Sequence, residues 1–176
     1  MRHALKLHPD SRCDAVSGIE VEIARAGDLL LRYVVTGKPG DLVIPAIAAP
    51  RRADELWRDT CFEAFLREPS GEGYIEFNFS PSAEWAVYRL DAYRVGRRIA
   101  EGIAAPRITL HPNTTGFELQ ASLELPDDSA WRLGLAAVIE EAGGRISYWA
   151  LTHPPGKADF HHSDCFALEL AATLAS

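Results

Sequence analysis

Apolar and polar residues alternate with a period of two along most of this chain, the pattern of strands that bury one face. Ile19-Glu20-Val21-Glu22-Ile23-Ala24-Arg25 is a clear run; Ala26-Gly27-Asp28 then supplies a turn, and Leu29 to Val35 forms a β-rich stretch that ends at Thr36-Gly37-Lys38-Pro39-Gly40. The pair predicts a hairpin. Cys61 to Arg67 alternates again, Glu68 to Gly73 reads as a loop, Tyr74 to Ser80 as an aromatic strand bounded by Pro81-Ser82, and Glu84 to Leu90 as its continuation in a meander. After a polar connection through Arg94 to Pro106, further strands are expected at Arg107 to Leu110, Phe117 to Leu125 and Leu133 to Glu140. Ala142-Gly143-Gly144 turns the chain into Arg145 to Leu151, and a last strand is expected at Cys165 to Leu170, after the loop Thr152 to Asp164. One helical turn fits Ala53 to Trp57, and a short helix fits within Leu90 to Ile103. Roughly nine or ten short strands with Gly/Pro punctuation predict an all-β fold: an antiparallel β-sandwich, jelly-roll-like, with at most one or two short helices, residues 1–176 forming one domain.

Composition narrows the function classes. At 176 residues, 47% hydrophobic and 24% charged, the chain has the make-up of an ordinary soluble domain. Its 25 acidic residues against 18 basic ones, a net charge of -7, argue against nucleic acid or an anionic membrane surface as partner. Met1 to Cys13 lacks the roughly 7–15-residue apolar stretch of a secretory signal, and no apolar run approaches the roughly 18 residues of a spanning helix. Cys13, Cys61 and Cys165 are far apart and form no CxxC pair, so neither a disulfide framework nor a zinc knuckle is indicated. A cytoplasmic protein with reduced thiols is expected. Oligomeric state has no signature in this sequence.

Alternation also sorts the polar residues. Phe62, Ala64 and Leu66 share one face of their strand, and Cys61, Glu63, Phe65 and Arg67 share the other; in the next strand Ile75, Phe77 and Phe79 oppose Tyr74, Glu76, Asn78 and Ser80. Pairing through the Glu68 to Gly73 loop makes Glu63, Glu76 and Asn78 neighbours on one surface, flanked by Tyr74, Trp85 and Tyr88. Short polar side chains fixed on strands beside aromatic plates suit a neutral polyhydroxy ligand, whose hydroxyls need placed donors and acceptors and whose C–H faces need a flat apolar surface. The plainer alternative is a solvated sheet face with Glu63 and Glu76 ion-paired to Arg67 or Arg89. As a catalytic pair, the two carboxyl groups would need to stand ~5–9.5 Å apart across a glycosidic bond, and so short a chain gives no sign of a deep cleft. Binding is therefore favoured over catalysis. A protein-interaction surface on an exposed sheet is a further reading.

Two tryptophans adjoin loops: Trp57, in the polar segment Asp54 to Thr60, and Trp149, ahead of Thr152-His153-Pro154-Pro155-Gly156. The densest titratable cluster runs from His153 to Asp164. Its adjacent His161 and His162 point to opposite sides of an extended chain, so a structural loop with Asp159 or Asp164 capping its own backbone is preferred to a metal site. HExxH, EF-hand, GxGxxG and GxxxxGK[ST] motifs are absent, and Ser163 beside His162 forms no triad. Cys61 and Cys165 sit in apolar alternation, where a thiol is usually an inert small hydrophobe.

Leu56-Trp57-Arg58-Asp59-Thr60-Cys61-Phe62-Glu63-Ala64-Phe65, then the run Tyr74-Ile75-Glu76-Phe77-Asn78-Phe79-Ser80-Pro81 on to Arg89, resemble the bacterial DOMON-like domain, a relative of the family-nine carbohydrate-binding modules. The tail Ser147-Tyr148-Trp149-Ala150-Leu151-Thr152-His153-Pro154 with Asp159-Phe160-His161-His162 resembles the same group, and the similarity spans roughly Ile19 to Leu170. The resemblance implies a β-sandwich that binds sugar or, in some DOMON branches, haem. It implies Trp57 and Trp149 as an aromatic clamp on a sugar end and Glu63, Glu76 and Asn78 as a polar floor; Trp85 and Tyr88 from the flanking aromatics, with His153, complete the expected ligand-binding set. Haem-binding relatives use a Met and His pair, whereas the only methionine here is Met1. The expected function is a non-catalytic, cofactor-free domain for a carbohydrate or carbohydrate-derived ligand, such as a cell-wall fragment or sugar nucleotide. The alternative is haem or a divalent metal ion held by the His153 to Asp164 loop through His161, His162 and Asp164.

Overall fold

A computed structural model describes residues 1–173; the last three positions of the expected domain, 174–176, lie outside the described residues. The predicted hairpin forms from β2 (Val16–Ala26) and β3 (Asp28–Gly37), turning at Gly27, whose φ of 82° lies in the left-handed region that glycine adopts without strain. β1 (Arg2–Leu7) pairs with the free side of β2, and β9 (Gly116–Leu123) and β8 (Arg107–Asn113) extend beyond β3. The second layer is built from β4 (Cys61–Arg67), β5 (Tyr74–Phe79), β6 (Trp85–Leu90) and the two-residue β7 (Arg98–Ile99) on one side. β10 (Trp131–Glu140) and β11 (Ile146–Ala150) complete it, with β12 (Leu168–Leu170) paired to the start of β10. All ladders are antiparallel. Because β1 also pairs with β11, through Lys6 opposite Ala150 and Leu7 opposite Trp149, the two layers form one continuous sheet that folds over on itself.

Between the layers the inward residues interdigitate: Val21, Leu31, Tyr33 and Phe117 from one, Phe62, Leu66, Phe77 and Phe79 from the other. Phe62 reaches across to Tyr33 and Phe117, with ring centroids 4.9 Å and 5.9 Å apart. The buried Tyr33 hydroxyl donates to the Glu63 carbonyl at 2.9 Å, so even the one polar tip in this stretch of core is satisfied.

β2 alternates buried and exposed positions, as its sequence predicts, but β4 and β5 are buried almost throughout. Their outer face is covered by a second cluster of Phe65, Tyr74, Tyr88, Leu90, Val138, Phe160 and Phe166, in which the loop between β11 and β12 lies down on the sheet. Gly134 permits that approach, since a Cβ there would stand 2.9 Å from the Cys165 carbonyl oxygen.

Three local expectations differ from the structure. The helical turn is a 3₁₀ turn at Leu56–Arg58 rather than Ala53 to Trp57. Leu90 to Ile103 holds no helix but a tight turn closed by Ala92 and Val95, followed by β7. The Cys165 to Leu170 segment begins as a 3₁₀ turn, Ser163–Cys165, and becomes a strand only at Leu168.

Candidate functional site

The outer face of the second layer carries a cavity of about 910 Å³. Its strands deliver Glu63 from β4, Glu76 from β5, Val138 from β10 and Tyr148 from β11, all on one side of the pleat; loops raise the walls around them. The cleft has no counterpart in the sequence reading, because its walls come from segments distant in the chain: His8 to Arg12, Arg94 and Arg97, and Lys157 to His161.

Register brings the polar floor together as alternation predicts. Glu63 lies opposite Asn78 and Phe65 opposite Glu76, which makes the two glutamates diagonal neighbours. They are 5% and 4% exposed. Asn78 Nδ2 donates to Glu76 Oε1 at 2.8 Å, while Glu76 Oε2 has no hydrogen-bond partner and stands 3.9 Å from Arg97 Nε. Burial, and then the charge of Glu76, pushes the Glu63 carboxyl up to about 8; burial likewise raises Glu76, against the opposing hydrogen bond from Asn78. Two carboxylates in one water-poor site do not both ionise, so near neutral pH the floor presents one carboxyl as a donor and the other as an acceptor.

Arg97 is held over the floor by stacking, its guanidinium 3.7 Å from the centroid of the Tyr88 ring. Tyr88 donates its hydroxyl to Asp54, which is itself ion-paired with Arg52 at 2.5 Å. The pairing of Glu63 or Glu76 with Arg67 or Arg89 does not occur: Arg67 lies over Phe166, at 4.7 Å, and Arg97 takes the place beside Glu76.

Trp57, 47% exposed, stands in the cavity wall on its 3₁₀ turn. Glu55, just before that turn, and Arg94, across the cavity, are two of only three non-glycine residues with positive φ among the described residues, at 60° and 55°. Backbone of this kind costs free energy and persists only where the surrounding structure holds it in place.

Trp149 corrects the expected clamp. Its side chain is 5% exposed, lies in the core between the layers and donates Nε1–H to Ser147 Oγ at 3.1 Å. Period two decides this: Ser147 and Trp149 face inward, so Tyr148, 38% exposed, is the β11 aromatic that lines the cavity. Trp85 also turns to the inner face, packed on the core at the start of β6. His153 sits behind the cavity, its Nε2 against the Lys6 carbonyl at 2.8 Å and its ring edge-on to His8, which does line it.

His161 and His162 point to different places. His161 Nδ1 meets the Tyr74 hydroxyl at 2.8 Å, its ring packs edge-on to Phe65, and burial lowers it to about 4, so it is neutral at physiological pH. His162 accepts from the Asp164 backbone N–H at 3.2 Å and starts the 3₁₀ turn. Asp159 does cap its own backbone, accepting from the His161 N–H at 3.1 Å, and also pairs with Arg94 at 2.8 Å. Among the described residues no group of three or more His, Cys, Asp or Glu is placed to hold a metal ion.

No protein-family model matches the chain. No curated protein is similar in sequence. Its fold is similar to that of an inferred carbohydrate-binding protein from Bacteroides uniformis, with a TM-score of 0.65 at 14% identity over 94% of this chain and 83% of that one. It is also similar to a family-nine carbohydrate-binding module from Caldicellulosiruptor kristjanssonii. The complex of that module with glucose gives a TM-score of 0.52 at 13% identity over 95% and 81% of the two chains. Its complex with cellotriose gives 0.50 at 12% over 89% and 74%.

Proposed function

We propose that this chain is a non-catalytic carbohydrate-binding domain and that the cavity over Glu63 and Glu76 is its site. The observation that carries the reading is the floor itself: a carboxyl donor and a carboxylate acceptor fixed on adjacent strands, one of them held by the Asn78 amide, with a stacked guanidinium beside them and two accessible aromatics, Trp57 and Tyr148, in the walls. Sugar hydroxyls are paired donors and acceptors, and rigid placement keeps the entropic cost of meeting them small. The glucose and cellotriose complexes of the similar module support it, as does the resemblance of the Leu56 to Arg89 segments to DOMON-like domains.

Binding is preferred to hydrolysis because solved structures with a similar fold include an inferred carbohydrate-binding protein and a carbohydrate-binding module.

Calorimetric titration with a panel of neutral and acidic mono- and disaccharides tests the reading. At least one member should bind, and Trp57→Ala should weaken it about tenfold, the value of one aromatic stacking surface. Absence of binding across the whole panel, or affinities untouched by both Trp57→Ala and Glu76→Gln, would overturn it.

A further inference from the structure

The chain as a whole is acidic, at -7, yet the cavity is lined by five cationic residues, Arg12, Arg94, Arg97, Arg145 and Lys157, against three acidic ones, Asp10, Glu63 and Glu76. Three of the five are already engaged. Arg94 is paired with Asp159 at 2.8 Å, Arg145 with Asp14 at 2.7 Å and Glu141 at 3.4 Å, and Arg97 faces Glu76 from its stack on Tyr88. Arg12 and Lys157 remain. Both are exposed, and neither has an ion pair or a side-chain hydrogen bond among the described residues, in a chain where most arginines are taken by carboxylates. They come from opposite ends of the sequence, the loop after β1 and the loop before β12, and the fold brings both to the rim of one cavity.

Neutralising the floor does not require them, because the two buried carboxyl groups do not both ionise and Arg97 already stands beside Glu76. A second feature points to a ligand from below: Glu76 Oε2 is buried and unpartnered, an acceptor waiting for a hydroxyl.

We infer that the saccharide taken by this cavity carries a negative charge, its ring hydroxyls meeting Glu63 and Glu76 on the floor and its anionic group meeting Arg12 and Lys157 at the rim. The inference rests on the carbohydrate reading of the same cavity and names its ligand class: a sugar bearing a carboxylate or a phosphate. It replaces the neutral ligand expected from the strand residues alone.

The test compares matched sets by titration: glucose, galactose and mannose, their uronates, their 1-phosphates, and inorganic phosphate alone. For the hexose that fits, the uronate or the phosphate should bind about tenfold more tightly than the neutral parent, the worth of two rim ion pairs. That ratio should shrink between 50 and 500 mM salt, as screened surface charges require, and should fall to near one when Arg12→Ala and Lys157→Ala are combined. Trp57→Ala should weaken both members of the set and leave the ratio standing. The uronate and phosphate arms identify which anion is preferred. A neutral parent that binds as tightly as its acidic partners would overturn this inference and leave the carbohydrate reading intact; no saccharide binding at all would overturn both. Inorganic phosphate binding as tightly as the sugar phosphates would overturn it as well, since the sugar would then contribute nothing. An acidic preference that survives the double variant would remove Arg12 and Lys157 from the role.

Discussion

Phe62→Ala is expected to cost about 3–5 kcal/mol, the range for truncating a fully buried phenylalanine whose neighbours cannot collapse into the gap. Collapse is blocked here because the ring is shared by three strands of two layers. It leaves β4, meets Tyr33 from β3 and Phe117 from β9, and sits beside Phe79 in its own layer, each anchored in a ladder. Against a typical total of about 5–15 kcal/mol, the loss is a large fraction of the fold's stability. At this chain length 1 kcal/mol corresponds to about 2–4 °C, so thermal unfolding should shift down by roughly 6–20 °C. The damage should reach the site through the same strand: Tyr33 donates to the carbonyl of Glu63, and the floor is positioned from behind by the core. Phe65→Ala, on the opposite face of β4, should loosen His161 and Phe166 instead, and so disturb the covering loop more than the union of the layers. Denaturation monitored by circular dichroism decides the matter, and a Phe62→Ala protein within 1 kcal/mol of the parent would contradict the account.

Legibility in the sequence follows how local the determining physics is. The β2–β3 and β4–β5 hairpins are written in short alternating runs joined by turn residues, so both their existence and the Glu63–Asn78 register can be read directly. β1 escapes because Arg2-His3-Ala4-Leu5-Lys6-Leu7 buries only Leu5 among its six side chains. Its contribution is backbone pairing with β2 and β11, which leaves little hydrophobic trace. Trp149 is misplaced for a related reason. The strand's parity is clear, but both faces of β11 carry apolar residues, and β10 beside it is nearly continuous in Leu, Ala, Val and Ile. Alternation cannot say which face is core when loops bury the other face too. The rim cations Arg12, Arg94, Arg97 and Lys157 lie in segments without periodicity, and only the folded chain gathers them. What hinted at Arg94 and Arg97 was their density in Arg94-Val95-Gly96-Arg97-Arg98, more charge than a passive connection needs.

Stability should fall as pH rises from about 6.5 to 8, the reverse of the usual carboxylate behaviour, and Glu63 is the reason. Its carboxyl is raised from 4.5 to about 8 in the folded chain, chiefly by burial, so the native state keeps a proton that the unfolded state has released. The stability this confers is fully present below 4.5 and is lost as pH rises through 8. His161 has the opposite sign. Burial lowers it from 6.5 to about 4, so its contribution is fully present above 6.5 and is lost as pH falls towards 4. Between 4.5 and 6.5 the two slopes oppose one another and the melting temperature should change little on their account. Above 6.5 His161 is silent and the buried Glu63–Glu76 pair, both members raised by burial, sets the slope. Across the window the melting temperature should fall by several degrees. Glu63→Gln keeps the shape of the protonated carboxyl and cannot ionise, so its melting temperature should fall much less than the parent's over the same window, Glu76 being the one floor carboxyl left to titrate. Calorimetric scans of both proteins in the same buffers check this. A parent protein whose melting temperature is flat or rising from pH 6.5 to 8, or a variant that falls in parallel with it, would show that the Glu63 proton is not what the buried floor retains.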